Sequence, residues 1–164
     1  NSAQDGHIGL LATPATINRT YTDDLIAEFA SACTVHRYGS SELVLLAEDF
    51  MMGKNVDRAV IDHVEKWIGS TPPMTHIVLG CTHFPLLIPI LQGQWPEIQW
   101  IDSGKAIARR VEQLLPTATT TGVRGLRLQW TAANIAPIGA EKFLNQMGPI
   151  EYAAPLSVKE FSYT

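Results

Sequence analysis

The stretch MTHIVLGCTHFPLL, residues 74–87, decides the fold predicted for this chain. Its first half is rich in β-branched and apolar residues and stops at a glycine, which predicts a strand over residues 75–79. A helix is expected to follow, because Pro85 suits the first turn of a helix, where no backbone N–H is needed. Three polar or reactive residues, Cys81, Thr82 and His83, therefore fall between the carboxyl end of a strand and the start of a helix.

The rest of the chain has the same order of strand and helix. The run HIGLLA at residues 7–12 predicts a strand that ends at the turn Thr13-Pro14-Ala15-Thr16, ahead of a helical pattern. Further strands are predicted at residues 34–38, 97–101, 126–130 and 150–153, and further helices at residues 55–69, 103–115 and 140–147. Strands that alternate with helices predict an α/β fold, a parallel sheet flanked by helices, with ligands at the carboxyl ends of the strands.

Some segments carry more specific expectations. The segment SELVLLAEDFMMG, residues 41–53, is less regular and is predicted as a loop with a helical turn. Two of the later helices are expected to turn apolar residues inward. These residues are Ile107, Val111 and Leu114 in one helix, and Phe143, Leu144 and Met147 in the other. The threonine-rich patch at residues 117–122 is predicted to be a surface loop.

Composition excludes several classes of protein. The chain has 164 residues, of which 46% are hydrophobic and 17% charged, so a sizeable core and not disorder is expected. Lys and Arg number 12 against 16 Asp and Glu, and a net charge of −4 argues against nucleic acid as the main partner. The apolar runs are too short to cross a bilayer. Two cysteines favour free thiols in a reducing compartment, and hence a cytoplasmic protein.

Cys81 and His83 are the strongest candidates for chemistry. Backbone amides and the dipole at a helix start stabilise an anion, which favours the reactive thiolate form of a cysteine. Such a cysteine acts as a nucleophile or a base, and a histidine two residues on holds or delivers a proton near neutral pH. Elsewhere, Thr13 and Thr16 offer hydroxyl donors for a carboxylate, and Glu48 is placed to orient a histidine.

Each of these residues also has a purely structural interpretation. Cys81 can be a small buried hydrophobic residue, the Thr13 turn only a helix cap, and Glu48 a solvated acid. His63 lies on an apolar helix face, as a hydrogen-bonded core or interface histidine does. A further alternative is a zinc site, whose ligands would be Cys33, His36, Cys81 and His83.

Residues 78–87, VLGCTHFPLL, closely resemble the second cysteine motif of glutamate racemases, in the cofactor-independent aspartate/glutamate racemase family. The run IGLLATPAT at residues 8–16 resembles that family's strand and threonine turn. Ile101-Asp102-Ser103 resembles its Val-Asp-Ser before a helix, and Glu48 falls at the family's glutamate after an apolar stretch. The resemblance covers nearly the whole chain, but only the C-terminal portion of a family member.

The resemblance implies a flavodoxin-like domain of the aspartate/glutamate racemase type and a function. That function is interconversion of L- and D-glutamate without a cofactor or metal, which supplies D-glutamate for peptidoglycan. Two cysteines on opposite faces of glutamate exchange its Cα proton, and Cys81 would be one of them. His83 would assist Cys81, Glu48 would position His83, and Thr13, Thr16 and Thr82 would bind carboxylates.

The chain departs from the family pattern in ways that bear on function. The family's Asp-Ser-Gly motif and its first cysteine have no counterpart here, and Cys33, at the end of the predicted helix, is not a substitute. Ala12 replaces the family's Gly, and Ser40-Ser41 replaces its Cys-Pro. We therefore expect a fragment that is inactive alone, with a middle domain at residues 1–103 and a segment at residues 104–164 that completes the first domain.

The partners that follow from this expectation are glutamate, the missing N-terminal segment and a second copy in a homodimer. Neither nucleic acid nor a membrane is expected as a partner. Two alternatives stay open at this point. One is a degenerate relative that only binds an amino acid or a protein, and the other is a different family reaction such as aspartate racemisation.

Overall fold

A parallel four-stranded sheet lies at the centre of the first of two units in the structure, a computed structural model that describes residues 6–115, 125–130 and 140–155. The first unit takes in the described residues up to Phe50 and Asn55–Leu114. The second takes in Met51–Lys54 and the described residues from Leu115 onward. The predicted division at residues 103 and 104 stays a prediction.

The first unit alternates strands with helices along the chain. Its elements are β1 (His7–Ala12), α1 (Pro14–Ile17), α2 (Thr20–Phe29), β2 (Thr34–Gly39), α3 (Glu42–Met51), α4 (Asp57–Gly69), β3 (His76–Leu79), a 3₁₀ helix (Phe84–Leu87), α5 (Ile88–Gln94), β4 (Gln99–Ile101) and α6 (Gly104–Leu114). The strands lie in the order β2-β1-β3-β4, and every neighbouring pair is parallel. This confirms the predicted α/β fold, because parallel neighbouring strands need crossover connections, which the intervening helices supply.

The second unit contains β5 (Leu126–Trp130), α7 (Ala140–Leu144) and β6 (Ile150–Pro155). Strands β5 and β6 pair in parallel, with a register irregularity between Leu126 and Arg127. Both predicted strands and the helix between them are present, although α7 is shorter than expected. Met147 lies beyond α7 and is exposed, so its predicted inward position is wrong. The threonine-rich patch at residues 117–122 lies outside the described residues.

The core of the first unit is built on the sheet and closes beneath the loop that follows β3. The largest fully buried side chains among the described residues are Phe84, Leu11, Leu43, Ile77, Leu87, Leu91, Val60 and Val64. Phe84 and Leu87 belong to the 3₁₀ helix directly after His83, so their burial anchors that end of the loop. Gly9 in β1 is required by this packing, because a Cβ there would lie 2.8 Å from Cγ1 of Ile77.

The largest error of the sequence prediction concerns residues 41–53, where a loop with a helical turn was expected. The structure has the ten-residue helix α3 there. Leu43 and Ala47, four residues apart, are fully buried and supply the inward face of this helix. Its periodicity is blurred because Val44, Leu45 and Leu46 make the sequence apolar on other faces as well.

The predicted inward face of α6 is also wrong in this unit. Ile107, Val111 and Leu114 lie on one side of the helix, as their spacing predicts, but all three are exposed. Amphipathic spacing shows that one face is apolar, but it does not identify what covers that face. Among the described helices, none is long and apolar enough to cross a membrane.

Candidate active site

The loops that follow β1, β2 and β3 meet at one edge of the sheet. Backbone hydrogen bonds extend the strand pairing into these loops, from Gly80 N to Leu11 O at 2.8 Å and from Ser40 N to Ala12 O at 2.9 Å. Thr13 and Cys81, which come directly after these pairings, therefore leave the sheet from adjacent backbones. This edge is the carboxyl end of parallel strands, where ligands bind in folds of this kind.

The turn after β1 displays two threonine hydroxyls. Thr13 is the N-cap of α1, and its hydroxyl accepts a hydrogen bond from the backbone N–H of Thr16 at 3.4 Å. The two hydroxyl oxygens lie 3.0 Å apart, with Pro14 in the first turn. The helix cap considered from the sequence is thus present. Half-buried hydroxyls beside the first N–H groups of a helix are neutral donors suited to a carboxylate.

Cys81, His83 and Glu48 form a contiguous line of groups. Sγ of Cys81 lies 3.8 Å from Nδ1 of His83, and Nε2 on the far side of that ring lies 3.4 Å from Oε1 of Glu48. Glu48 comes from α3, whereas Cys81 and His83 come from the loop after β3, so the fold itself brings the carboxylate to the imidazole. The thiol is half-buried, His83 is 38% exposed and Glu48 is 52% exposed, so the line is open to a ligand.

Thr82, also singled out from the sequence, lies exposed between Cys81 and His83. The two threonines of the first turn and the line from Cys81 to Glu48 follow adjacent strands. Thr82 is the nearest of the predicted carboxylate ligands to Cys81 along the chain. The roles of these residues remain predictions, which the positions make chemically reasonable.

Cys33 lies far from this edge. It occupies the turn between α2 and β2, beyond the end of the helix on which it was expected. It therefore precedes the start of β2, whereas Cys81 follows the end of β3, and these parallel strands place the two residues at opposite edges of the sheet. A zinc ion cannot bridge that separation, so the shared Cys33 and Cys81 site is incompatible with the fold.

A second polar group, which sequence reasoning missed, lies where β2 ends. The hydroxyl of Ser40 is 2.7 Å from Nε2 of His63, and Nδ1 of the same ring is 3.5 Å from a carboxylate oxygen of Glu42. His63 is thus hydrogen-bonded on its apolar helix face, as predicted, but its partner is 23 positions away in sequence. The sequence does carry one signal for this group: Ser40 lies just ahead of Glu42, and a serine before an acidic first turn is typical of a helix N-cap.

Tyr38 completes this second group. Its hydroxyl donates to the backbone carbonyl of His63 at 3.2 Å, and its ring stacks on Trp67 with centroids 5.2 Å apart. Burial raises the pKa of Tyr38, and the nearby negative charge of Glu42 raises it further. The phenol is therefore held in its neutral, hydrogen-donating form.

Comparison with known proteins identifies the fold and the motif. A glutamate racemase of Shewanella loihica is 43% identical to this chain over 147 residues, which cover 89% of this chain and 54% of the relative. A glutamate racemase of Serratia proteamaculans is 47% identical over 115 residues, or 69% of this chain and 40% of the relative. This chain matches part of a glutamate racemase over most of its own length. It spans about half the length of the curated glutamate racemases it matches.

Solved structures of glutamate racemases agree with this assignment. The Escherichia coli glutamate racemase, in complex with L-glutamate and the activator UDP-MurNAc-Ala, has a TM-score of 0.78 and 35% identity; the match covers 93% of this chain and 58% of that one. The fold is therefore the flavodoxin-like fold of aspartate/glutamate racemases, as predicted. The Francisella tularensis enzyme, at 17% identity and a TM-score of 0.64, supports the fold alone. No protein-family profile matches the chain.

Proposed function

We propose that this chain carries one half of a glutamate racemase active site, with Cys81 as the base and acid on one face of the substrate. The observation that supports this most is the contact of Cys81 with His83 and of His83 with Glu48. It occurs at the carboxyl edge of the sheet, in a chain 43% identical to a glutamate racemase.

The proposed step is a proton transfer at Cα of glutamate. The thiolate of Cys81 takes the proton, so that the Cα–H bond breaks, an S–H bond forms and the electron pair passes from Cα into the adjoining carboxylate. A second thiol then gives its proton to Cα from the opposite face and is left as a thiolate. We assign that second thiol to the part of a racemase that this chain does not match. One proton leaves Cα and one proton returns to it, and the reverse sequence converts the other enantiomer.

The Cα–H bond is only weakly acidic, so the surrounding groups must stabilise the negative charge that develops when it breaks. Stabilising developing negative charge by fixed donors is commonly the largest contribution in such reactions. We assign this stabilisation of charge to the hydroxyls of Thr13, Thr16 and Thr82, which would hold the substrate carboxylates without adding a competing base. His83 would assist proton movement at Cys81, and Glu48 would hold the imidazole in place from the opposite side of the ring.

The product of this reaction, D-glutamate, would serve peptidoglycan synthesis in the cytoplasm. Because both faces of Cα must be served, the chain of 164 residues is expected to be inactive alone and to need the remaining part of the racemase. A homodimer is a further expectation. No cofactor or metal is assigned, because thiol groups alone can carry out the proton transfers.

A fusion protein tests the proposal. Residues 1–164 are joined to the part of the Shewanella loihica racemase that has no counterpart in this chain, and the fusion is incubated with L-glutamate in D₂O. We expect D-glutamate carrying deuterium at Cα, detected by NMR and chiral chromatography. L-aspartate is the comparison substrate, and each part alone is the control.

Three outcomes would count against the proposal. Racemisation by the chain alone would contradict a mechanism that needs two thiols. Conversion of L-aspartate in preference to L-glutamate would favour the alternative family reaction. Glutamate binding by a folded fusion without deuterium exchange would favour a degenerate binding protein.

A further inference from the structure

We propose that His63 is a positioning residue for the active site: its ring holds Ser40, and through the first turn of α3 it sets the place of Glu48 beside His83. The inference rests on the proposed function, because it concerns the orientation of His83. The contacts of His63 described above are with Ser40, Glu42 and Tyr38, so it acts through other groups and is a positioning residue, not a catalytic one.

Ser40 makes hydrogen bonds to three elements, which are β1, α3 and α4. Its N–H extends the pairing of β1 and β2, and its Oγ accepts a hydrogen bond from the backbone N–H of Leu43 at 3.1 Å. That second bond caps the first turn of α3. Ser40 is only 4% exposed, so its hydrogen bonds are shielded from competing water. The third bond, at 2.7 Å, leads to Nε2 of His63 on α4.

The direction of these bonds assigns the form of the His63 ring. In the neutral ring the proton lies on Nδ1, because the Glu42 carboxylate that faces Nδ1 can only accept a hydrogen bond. The Ser40 hydroxyl keeps its own hydrogen while it accepts the Leu43 N–H, so it can donate that hydrogen to Nε2 of His63. Nε2 is then the acceptor and Nδ1 carries the proton, directed at Glu42. The contact of Nδ1 with Glu42 is long, at 3.5 Å, and Glu42 is 67% exposed. An exposed pair of this kind contributes little, so the Ser40 bond is the one that holds the ring.

Helix α3 connects the hydrogen bond between Ser40 and His63 to the active site. Leu43 and Ala47 are fully buried on its inner face, and Glu48 directly follows Ala47. A helix advances about 1.5 Å and turns about 100° per residue, so a change at its first turn moves every later side chain with it. A displacement of about 1 Å breaks a contact such as the 3.4 Å approach of Glu48 to His83 and is known to lower turnover strongly.

A serine, a histidine and a carboxylate in this order are also the groups of a serine hydrolase, but the surroundings argue against that chemistry. A nucleophile must reach a substrate carbonyl, whereas Ser40 is almost fully buried and one of its lone pairs is occupied by a backbone N–H. The hydroxyl is therefore placed to hold α3, not to attack a ligand.

Imidazole NMR on the ¹⁵N-labelled chain tests the first step. We expect the His63 ring to show a protonated Nδ1 and a hydrogen-bonded, unprotonated Nε2 at neutral pH. A protonated Nε2 in the neutral ring would overturn the assignment. Labelling of Ser40 by a fluorophosphonate would overturn the positioning role, because it would show that the Ser40 hydroxyl is an accessible nucleophile.

Substitutions test the second step. His63→Leu removes the acceptor of the Ser40 hydroxyl, whereas His63→Gln retains a side-chain oxygen that can accept it. We expect His63→Leu to shift the His83 imidazole signals in the same direction as Glu48→Gln, by at least half as much, and His63→Gln to restore most of the wild-type position. Glu42→Gln is the matched control and is expected to leave the His83 signals unchanged. His63→Leu with wild-type His83 signals would show that the bond is merely structural.

Turnover in the fusion protein separates this inference from the proposed function. There, His63→Leu is expected to lower kcat about tenfold with a smaller change in KM, and His63→Gln to recover it. Full kcat in His63→Leu would reject the positioning role. A fusion that never racemises, but whose His83 signals respond to His63→Leu, would reject the proposed function and keep the link between His63 and Glu48.

Discussion

Sγ of Cys81 and Nδ1 of His83 lie 3.8 Å apart, and both belong to one loop of the chain. Phe84, the next residue after His83, is fully buried and fixes that end of the loop. At the other end, Gly80 donates its N–H to Leu11 O in the neighbouring strand. The relation between thiol and imidazole is thus set by the core and the sheet, not by the two side chains alone.

The first prediction concerns the thiol. In the fusion protein, Cys81→Ser is expected to lower racemisation by about 10³-fold or more, because a serine hydroxyl does not supply an anionic base at neutral pH. The measurement is the rate of D-glutamate formation from L-glutamate. Cys33→Ser is the matched control, because Cys33 lies at the opposite edge of the sheet, and it should retain activity. Equal losses in both variants would contradict the assignment of Cys81.

The second prediction separates orientation from stability at Glu48. Glu48→Gln keeps the size of the side chain but removes the charge that faces His83 at 3.4 Å. We expect turnover to fall about tenfold, while the free energy of unfolding changes by less than about 1 kcal/mol, because an exposed pair stabilises a fold little. Urea denaturation measures the second quantity. Glu65→Gln, an exposed carboxylate on α4, is the control, and an equal loss of turnover there would remove the special role of Glu48.

The sequence was sufficient to predict the sheet and the place of Cys81 within it. The β-rich run ahead of Gly80 and the proline after His83 are local signals, and each depends only on neighbouring residues. The threonine turn was predicted for the same reason. Thr13 caps α1 because a hydroxyl ahead of a first turn satisfies a free N–H, whatever the rest of the fold does.

What could not be predicted depends on contacts between distant segments. Ser40 and His63 are neighbours only because α4 lies against the end of β2, and the spacing of residues within α4 does not reveal that. Similarly, the apolar stripe of α6 is visible in the sequence, but its exposure depends on what other segments cover. Helix α3 escaped detection because its apolar residues lie on several faces.

The third prediction tests the packing of β1. Gly9→Ala places a Cβ 2.8 Å from Cγ1 of Ile77 and 2.9 Å from the ring of Trp67, closer than atoms approach without displacement. We expect the free energy of unfolding to fall by about 1–3 kcal/mol, as for other overpacked cores. Gly93→Ala, inside α5 where a Cβ meets nothing within 4 Å, is the control and should be neutral or stabilising by up to about 1 kcal/mol. Denaturation curves of the two variants that coincide would contradict this account of β1.

The fourth prediction follows from the raised pKa of Tyr38. Because burial and Glu42 place the folded pKa of Tyr38 above the ordinary phenol value of 10.0, the folded protein holds the phenolic proton more tightly than the unfolded chain. The resulting stabilisation is fully present below pH 10 and is lost as the pH rises through the folded pKa. Tyr38→Phe has no phenolic proton to lose, so its stability should fall less steeply above that pH.

At neutral pH the same variant should be less stable by about 0.5–1.5 kcal/mol, because the hydrogen bond from the Tyr38 hydroxyl to His63 O is lost while the stack on Trp67 remains. The difference in unfolding free energy between wild type and Tyr38→Phe should therefore narrow between about pH 8 and about pH 11, which lie below and above the ordinary phenol pKa of 10.0. Urea denaturation across that range measures it, and Tyr21→Phe, an exposed phenol on α2, is the control. A difference that stays constant would mean that the folded and unfolded chains hold the Tyr38 proton equally.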